Sequence, residues 1–315
     1  MRSLTTFCGV IALGLFNVGA AQTLTPEEQL GKSIFFDTSL SIYGNQSCAD
    51  CHGPAVGWTG PIAGINSGGA VYEGSIAGRF GNRKPPSSAY ATPSPVLHAD
   101  KKGDFTGGNF WDGRATGEKL GHPAADQAQG PFLNPVEQAA PDLACIVHEV
   151  CSATYPVSFE QVWGAGQCDI AWPADVETVC ATLNGFVDLS ADDRAKAAQN
   201  YDSIALSIAA FEASPESNAF TSKFDAYLAK EANLTREEKI GLNLFKGKGK
   251  CSRCHTLKGN SKDEPLLTDF TYDNLGLPRN PDNPWYTPVS YTHLTLPTTK
   301  ALVVGGGGRG AGRGG

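Results

Sequence analysis

Apolar residues recur at helical spacing in several stretches of the chain, and these stretches open on residues that cap helices. Leu24-Thr25-Pro26-Glu27-Glu28-Gln29-Leu30 leads into Ile34 and Phe35, and Leu234-Thr235-Arg236-Glu237-Glu238-Lys239-Ile240 leads into Leu244 and Phe245 at the same spacing. In each copy a threonine, Thr25 or Thr235, stands three residues before a glutamate, Glu28 or Glu238, so the two side chains can satisfy first-turn N–H groups reciprocally as a capping box. The apolar residues that follow fall on one helix face and are expected to point inward. The chain thus repeats one module. Between the copies, Ser190 and Asp193 predict another capping box, ahead of a helix with Ile204, Ile208 and Phe211 on one face. Phe220, Phe224 and Leu228 repeat that spacing, and all of these stripes read as scaffold. From Gly53 to Pro95 the chain is rich in Gly, Pro and Ser, which predicts long loops in place of regular elements. Loops of that length usually shape a site.

Both copies of the repeat run into Cys-x-x-Cys-His, as Cys48-Ala49-Asp50-Cys51-His52 and Cys251-Ser252-Arg253-Cys254-His255. That pentapeptide is the attachment signature of c-type haem. Two thiols three positions apart can each add to one vinyl group of a porphyrin, and the adjacent imidazole then serves the iron as proximal ligand. Zinc or redox thiols would share the Cys-x-x-Cys spacing, but the nearby sequence has no second Cys-x-x-Cys at zinc-ribbon spacing and no βαβ pattern. Two covalent haem c groups are expected, held by Cys48, Cys51, Cys251 and Cys254, with His52 and His255 as iron ligands.

Residues 1–21 read as a secretory signal peptide, with Arg2 as the positive start, an apolar core from Phe7 to Phe16, and Val18-Gly19-Ala20 as a small-residue cleavage site. Export to the periplasm follows. No later stretch approaches the roughly 18 apolar residues of a membrane span. Apart from Cys8 in the leader and the four haem thiols, the cysteines cluster as Cys145, Cys151, Cys168 and Cys180. In an oxidising compartment that cluster predicts two disulfides, with the pairing open, and a metal site drawing on His148 is the alternative. The formal charge is −7, and setting aside Arg2, Lys300, Arg309 and Arg313 leaves the remainder more acidic still. Such a surface argues against a nucleic-acid partner and would steer a basic electron donor such as a small cytochrome c.

The chain therefore divides into the signal peptide at 1–21, a first haem domain at 22–188 with a Cys-rich insert at about 141–185, connecting helices at 189–230, and a second haem domain at 231–288. Beyond Pro288 it turns to Tyr291-Thr292-His293-Leu294-Thr295-Leu296-Pro297 and a Gly/Arg end, so 289–315 reads as a non-native, low-complexity tail. The fold class is mostly α, with two cytochrome c-like haem domains and long loops.

Further motifs accompany the haem signatures: Phe110-Trp111-Asp112-Gly113-Arg114, Gln129-Gly130-Pro131, Asn134-Pro135-Val136-Glu137, Ala209-Ala210-Phe211-Glu212 with Phe224-Asp225-Ala226-Tyr227-Leu228, and Thr268-Asp269-Phe270 with Asn274-Leu275-Gly276-Leu277-Pro278. From Leu24 to Tyr286 the chain resembles the bacterial di-haem cytochrome c peroxidase family, which includes the maturation oxidase MauG. The resemblance implies reduction of hydrogen peroxide to water. Electrons from a small periplasmic donor, a cytochrome c or cupredoxin, would enter at the second haem and pass to a peroxidatic first haem. Cleaving the O–O bond needs a proton moved from one oxygen to the other, a task for a carboxylate, and the resemblance assigns it to Glu137. Gln127 matches the family's distal glutamine, Trp111 its tryptophan between the haems, and Arg114 would pair with a haem propionate or with Asp112. Without the motifs, Glu137 and Gln127 would read as exposed polar residues and Trp111 as a core aromatic.

Three departures from the family pattern matter. Extra residues around Gly121 to Asp126 separate Trp111 from Gln127. Many members place a displaceable distal His on the loop after the first haem, yet Cys51 to Lys84 contains none beyond His52, so the first haem is expected to be open without reductive activation. His98 is the substitute ligand, though a loop His reads first as a surface residue. The sole methionine is Met1, whereas the second haem takes Met in many members and Tyr in MauG. The family continues past the point where this chain stops matching, so that ligand is expected in a lost C-terminus, or else to be His293 or a Tyr. The family's interface calcium would draw on Asn82-Arg83, which match poorly, and on the missing part. A MauG-like oxidase acting on a protein or organic substrate is the rival reading, a non-enzymatic di-haem electron carrier is another, and homodimeric assembly stays open.

Overall fold

The computed structural model describes residues 23–257, 264–274, 276 and 278–286. The signal peptide, the 289–315 tail and His293 lie outside the described residues.

Helix α1 (Pro26–Phe35) opens on the expected capping box, with the Thr25 N–H donating to Glu28 at 2.6 Å and the Glu28 N–H to Thr25 Oγ1 at 3.3 Å. Its Leu30, Ile34 and Phe35 are buried against a later helix, α8, whose range is given below. A four-residue helix α2 (Cys48–Cys51) and a short α3 (Ala63–Ser67) follow, and the rest of the 53–95 stretch is irregular, as its Gly, Pro and Ser content predicts. A two-residue antiparallel pair, β1 (His98–Ala99) with β2 (Phe105–Thr106), sets His98 opposite Thr106. Helix α4 (Pro123–Leu133) then leads to the Cys-rich insert, α5 (Leu143–Ser152), α6 (Phe159–Trp163) and α7 (Val176–Cys180).

Helix α8 (Ala191–Ala213) is the axle of the fold. Ser190 caps it by accepting from the Asp193 N–H at 3.1 Å, while the Ser190 hydroxyl donates to the Asp193 carboxylate. The stripe of Ile204, Ile208 and Phe211 is buried as the periodicity requires. Ala197, Ala205 and Ala209 let neighbouring helices approach, and α1, α4 and α5 all pack on α8. At the α1 crossing a Cβ built on Gly31 would lie 1.8 Å from the Ser207 carbonyl oxygen, so no larger residue fits there. Phe35, Trp58 and Phe211 meet edge to face at 5.5–5.7 Å between centroids, an arrangement aromatic quadrupoles favour.

The cysteine cluster forms two disulfides, Cys145–Cys180 and Cys151–Cys168, which overturns the metal-site alternative with His148. Buried Asp142 ties both ends of the insert to α8, accepting from Ala144 N, Val187 N and Arg194 Nη1 at 2.7–3.0 Å.

Two expectations for the later helices need correction. Helix α9 is confined to Lys223–Leu228. Phe220 lies outside it with φ +44° and packs on Tyr90 at 4.9 Å, so the Phe220, Phe224, Leu228 spacing is not one helical stripe. Helix α10 (Arg236–Lys246) repeats the α1 capping box through Thr235 and Glu238, yet Ile240 and Leu244 are half exposed. Among the described residues α10 has no counterpart of the α8 crossing that buries α1. The chain after the second Cys-x-x-Cys-His returns instead to the first module, where Gly107 N donates to Phe270 O at 2.9 Å and the Tyr272 hydroxyl to Gly107 O at 2.6 Å.

Because Gly31 faces backbone and not a flexible side chain, Gly31→Ala is expected to lower stability by about 1–3 kcal/mol, read as a drop in the urea midpoint at unchanged slope.

Candidate functional site

The first Cys-x-x-Cys-His is a capped turn. Ser47 N donates to Asp50 Oδ2 at 2.7 Å, closing the start of α2, and the helix stops at His52. The His52 Nδ1–H donates to the Trp58 carbonyl at 3.2 Å, and the Pro86 backbone also hydrogen-bonds the ring, so two backbone groups orient the imidazole. Burial lowers the His52 pKa and so keeps the ring neutral, the form a ligand needs. Burial also pushes the Cys51 thiol up to about 12, with Glu137 and Asp50 adding to the effect, and raises Cys48 further.

Cys48, Cys51 and His52 line a cavity of about 420 Å³. Trp111, Gln127 and Glu137 line it too, so one hollow gathers the candidates from three separate stretches of chain. Gln127 stands on α4, and the Gly121–Asp126 segment before it is folded down by the Asp126 carboxylate, which accepts from Leu120 N at 3.0 Å and Lys119 N at 3.3 Å. Glu137 sits in the turn after α4, its N–H on Asn134 O at 2.9 Å and its carbonyl accepting from Ser75 N at 2.7 Å. Burial raises the Glu137 pKa, opposed by the Arg114 charge and a hydrogen bond with Asn134. Glu137 and Gln127 are half-buried at this wall and not the exposed polar residues they would be without their motifs.

Trp111 is 58% exposed, and its indole N–H donates to Lys84 O at 2.8 Å. Asp112 accepts from Arg114 Nη1 at 2.8 Å and from Arg83 Nη1 at 2.7 Å. His98 is exposed on β1, with Nδ1 against Val96 O, and is not among the residues that line the cavity.

One residue of the wall escaped the sequence reading except as part of a motif. Glu212 is only 4% exposed, and burial raises its pKa to about 8. It stands four residues after Ile208 on the buried stripe of α8, and a carboxylate in an apolar repeat is a readable signal.

The second motif is arranged alike but lies apart. The His255 Nδ1–H donates to Leu267 O at 2.9 Å, while Cys251, Cys254 and His255 are all exposed. One residue past that carbonyl, Thr268 enters the wall of the first cavity, and Phe270 joins it. Both motifs offer two free thiols and an imidazole, a donor set that fits haem c. Asn82 accepts through its carbonyl from Asn283 Nδ2 at 3.1 Å, and among the described residues no group of three or more His, Cys, Asp or Glu is placed to hold a metal ion.

A sequence model of the di-haem cytochrome c peroxidase family matches residues 25–233. The chain belongs to this family. It is 33% identical over 268 residues to the methylamine utilization protein MauG of Paracoccus denitrificans, covering 83% of this chain and 60% of that protein. It is 27% identical over 267 residues to the cytochrome c551 peroxidase of Nitrosomonas europaea, covering 81% and 58%. The crystal structure of the di-haem peroxidase BthA from Burkholderia thailandensis superposes with a TM-score of 0.66 at 29% identity, over 84% of this chain and 58% of that one. The chain spans about three fifths of the length of these relatives. The mostly helical fold is that of the di-haem peroxidases, and haem c is the cofactor such a family implies.

A carboxyl whose pKa is higher folded than unfolded weakens the fold as pH rises between the two values. Stability is therefore expected to fall between about pH 4.5 and about pH 8 through Glu212. Glu212→Gln should flatten that slope in urea titrations run across the range.

Proposed function

We propose that the protein is a periplasmic peroxidase that reduces hydrogen peroxide to water at the first Cys-x-x-Cys-His module, 22–188, using electrons received at the second, 231–288. The observation that carries this reading is the cavity in which His52 and Glu137 share one wall system with Gln127 and Trp111. Haem c, when bound, supplies an iron that takes peroxide and exchanges electrons with it. Glu137, made a weaker acid by burial, retains a proton to deliver to the departing oxygen, and its carboxylate recovers one from the other oxygen. Gln127 offers an amide that orients the oxidant. Trp111, which lines the cavity and also reaches solvent, is the relay between the modules. Cys251, Cys254 and His255 would hold the haem that receives electrons from a small cytochrome c or cupredoxin. Among the described residues no helix is long and apolar enough to cross a membrane.

A MauG-like oxidase is the second reading, favoured by the 33% identity to MauG and by a cavity whose lining includes no imidazole besides His52. Both readings require a first haem open to exogenous oxidant, whereas an electron carrier would hold both irons six-coordinate. Optical spectra of the ferric and half-reduced protein, with and without peroxide, separate these cases: a first haem with no high-spin or peroxide-responsive signal in either state sinks the enzyme reading. Steady oxidation of a reduced small cytochrome c by peroxide then distinguishes the peroxidase from the oxidase.

Glu137→Gln is expected to lower peroxide turnover by about 10²–10⁴-fold while both haems stay attached by intact mass. Turnover within a few-fold of the parent would place the acid elsewhere.

A further inference from the structure

Beside the main cavity lies a second, more open one of about 310 Å³, lined by Phe110, Arg114, Ala115, Lys119, Asp126 and Gln129. Phe110 and Arg114 line both cavities and so form the partition between them. The partition is built with care for position. Asn109 N donates to Ala115 O at 2.9 Å, closing a tight loop around the pair. Phe110 holds φ +64°, a left-handed conformation unfavourable for a bulky L-residue, which persists only where its surroundings over-determine it. The Arg114 guanidinium lies 3.7 Å above the ring centroid and is anchored on Asp112. On another side the ring meets α4 at Gly130, where a Cβ would sit 3.4 Å from Phe110 Cζ, three residues beyond Gln127. At the edge of the outer cavity Lys119 Nζ binds Asp202 at 2.6 Å and Gln129 at 2.7 Å.

We propose that the Phe110 ring, clamped between Arg114 and α4, is the selectivity partition through which oxidant passes from the more open outer cavity to the haem cavity, admitting molecules of hydrogen-peroxide size and excluding alkyl hydroperoxides. The inference rests on the reading that the first haem takes its oxidant on the side of Gln127 and Glu137. Arg114 acts through the ring, by holding it, and is a positioning residue. A planar ring under a planar cation is a rigid stopper, and removing either half leaves the opening to fluctuate.

The test uses the di-haem protein and its Phe110→Ala and Arg114→Gln variants, each first shown by intact mass and visible spectrum to retain both haems. Association rates of cyanide and of the bulkier imidazole to the ferric first haem are compared, with kcat/KM for hydrogen peroxide against tert-butyl hydroperoxide. The imidazole-to-cyanide rate ratio is expected to rise about tenfold or more in Phe110→Ala and by less in Arg114→Gln, with the hydroperoxide ratio moving the same way. A parent that binds both ligands, with ratios unchanged in both variants, overturns the partition while leaving the peroxidase reading intact. A first haem that binds neither ligand in the parent or in either variant overturns that reading and the partition with it. The Arg114→Gln variant keeps the test decisive should Phe110→Ala fail to fold, since it spares the ring and removes only its clamp.

Discussion

The crossing of α1 over α8 at Gly31 fixes where everything else can stand. A helix pair brought this close leaves no room for a side chain at the contact, so its relative position is set by backbone against backbone and not by adaptable packing. Phe35 and Phe211 flank that contact and carry Trp58 with them, and the Trp58 carbonyl in turn holds the His52 ring. Phe35, Ile208 and Glu212 emerge on the far side as wall of the cavity. The hollow for the cofactor is thus bounded by the same elements that make the core, and an error at the crossing would be felt at the metal ligand.

Electrostatics within the cavity follow from that enclosure. Burial raises Glu137 and Glu212 and keeps both closer to their neutral forms than a surface carboxyl would be, while Arg114 opposes the shift at Glu137 only. Asp112, shared between Arg83 and Arg114, moves the other way: burial works to raise it, and the two guanidinium groups overcome that and hold it low. One side of the cavity therefore carries fixed ionic charge and another carries carboxyls that gain and lose protons.

Much of this was legible in the chain because it is written in local grammar. The capping boxes at Thr25 and Thr235, the buried stripe of α8 and the disulfide cluster follow from short-range spacing and compartment, and each stands in the structure. The gathering of Gln127, Glu137 and Trp111 beside His52 depended on a family resemblance, since no periodicity relates residues so far apart. Phe220 misled because three aromatic and aliphatic residues at helical spacing do not make a helix when the first adopts a left-handed backbone. Ile240 and Leu244 misled for a different reason: amphipathic spacing says which face seeks a partner, not whether the partner lies nearby. Glu212 was hidden by its own helix, where a periodic apolar stripe draws attention to what repeats and not to the polar residue that breaks it.

The return of the chain from Leu267 to Tyr272 bears on what counts as an independent part of this protein. Within a few residues that segment holds the His255 ring, supplies Thr268 and Phe270 to the first cavity, and bonds to Gly107. The family-matched span 25–233 carries every proposed catalytic side chain, yet alone it would lack a section of the enclosure around them. The cavity beside the first Cys-x-x-Cys-His is thus enclosed jointly by the chain around that motif and by the chain that follows the second.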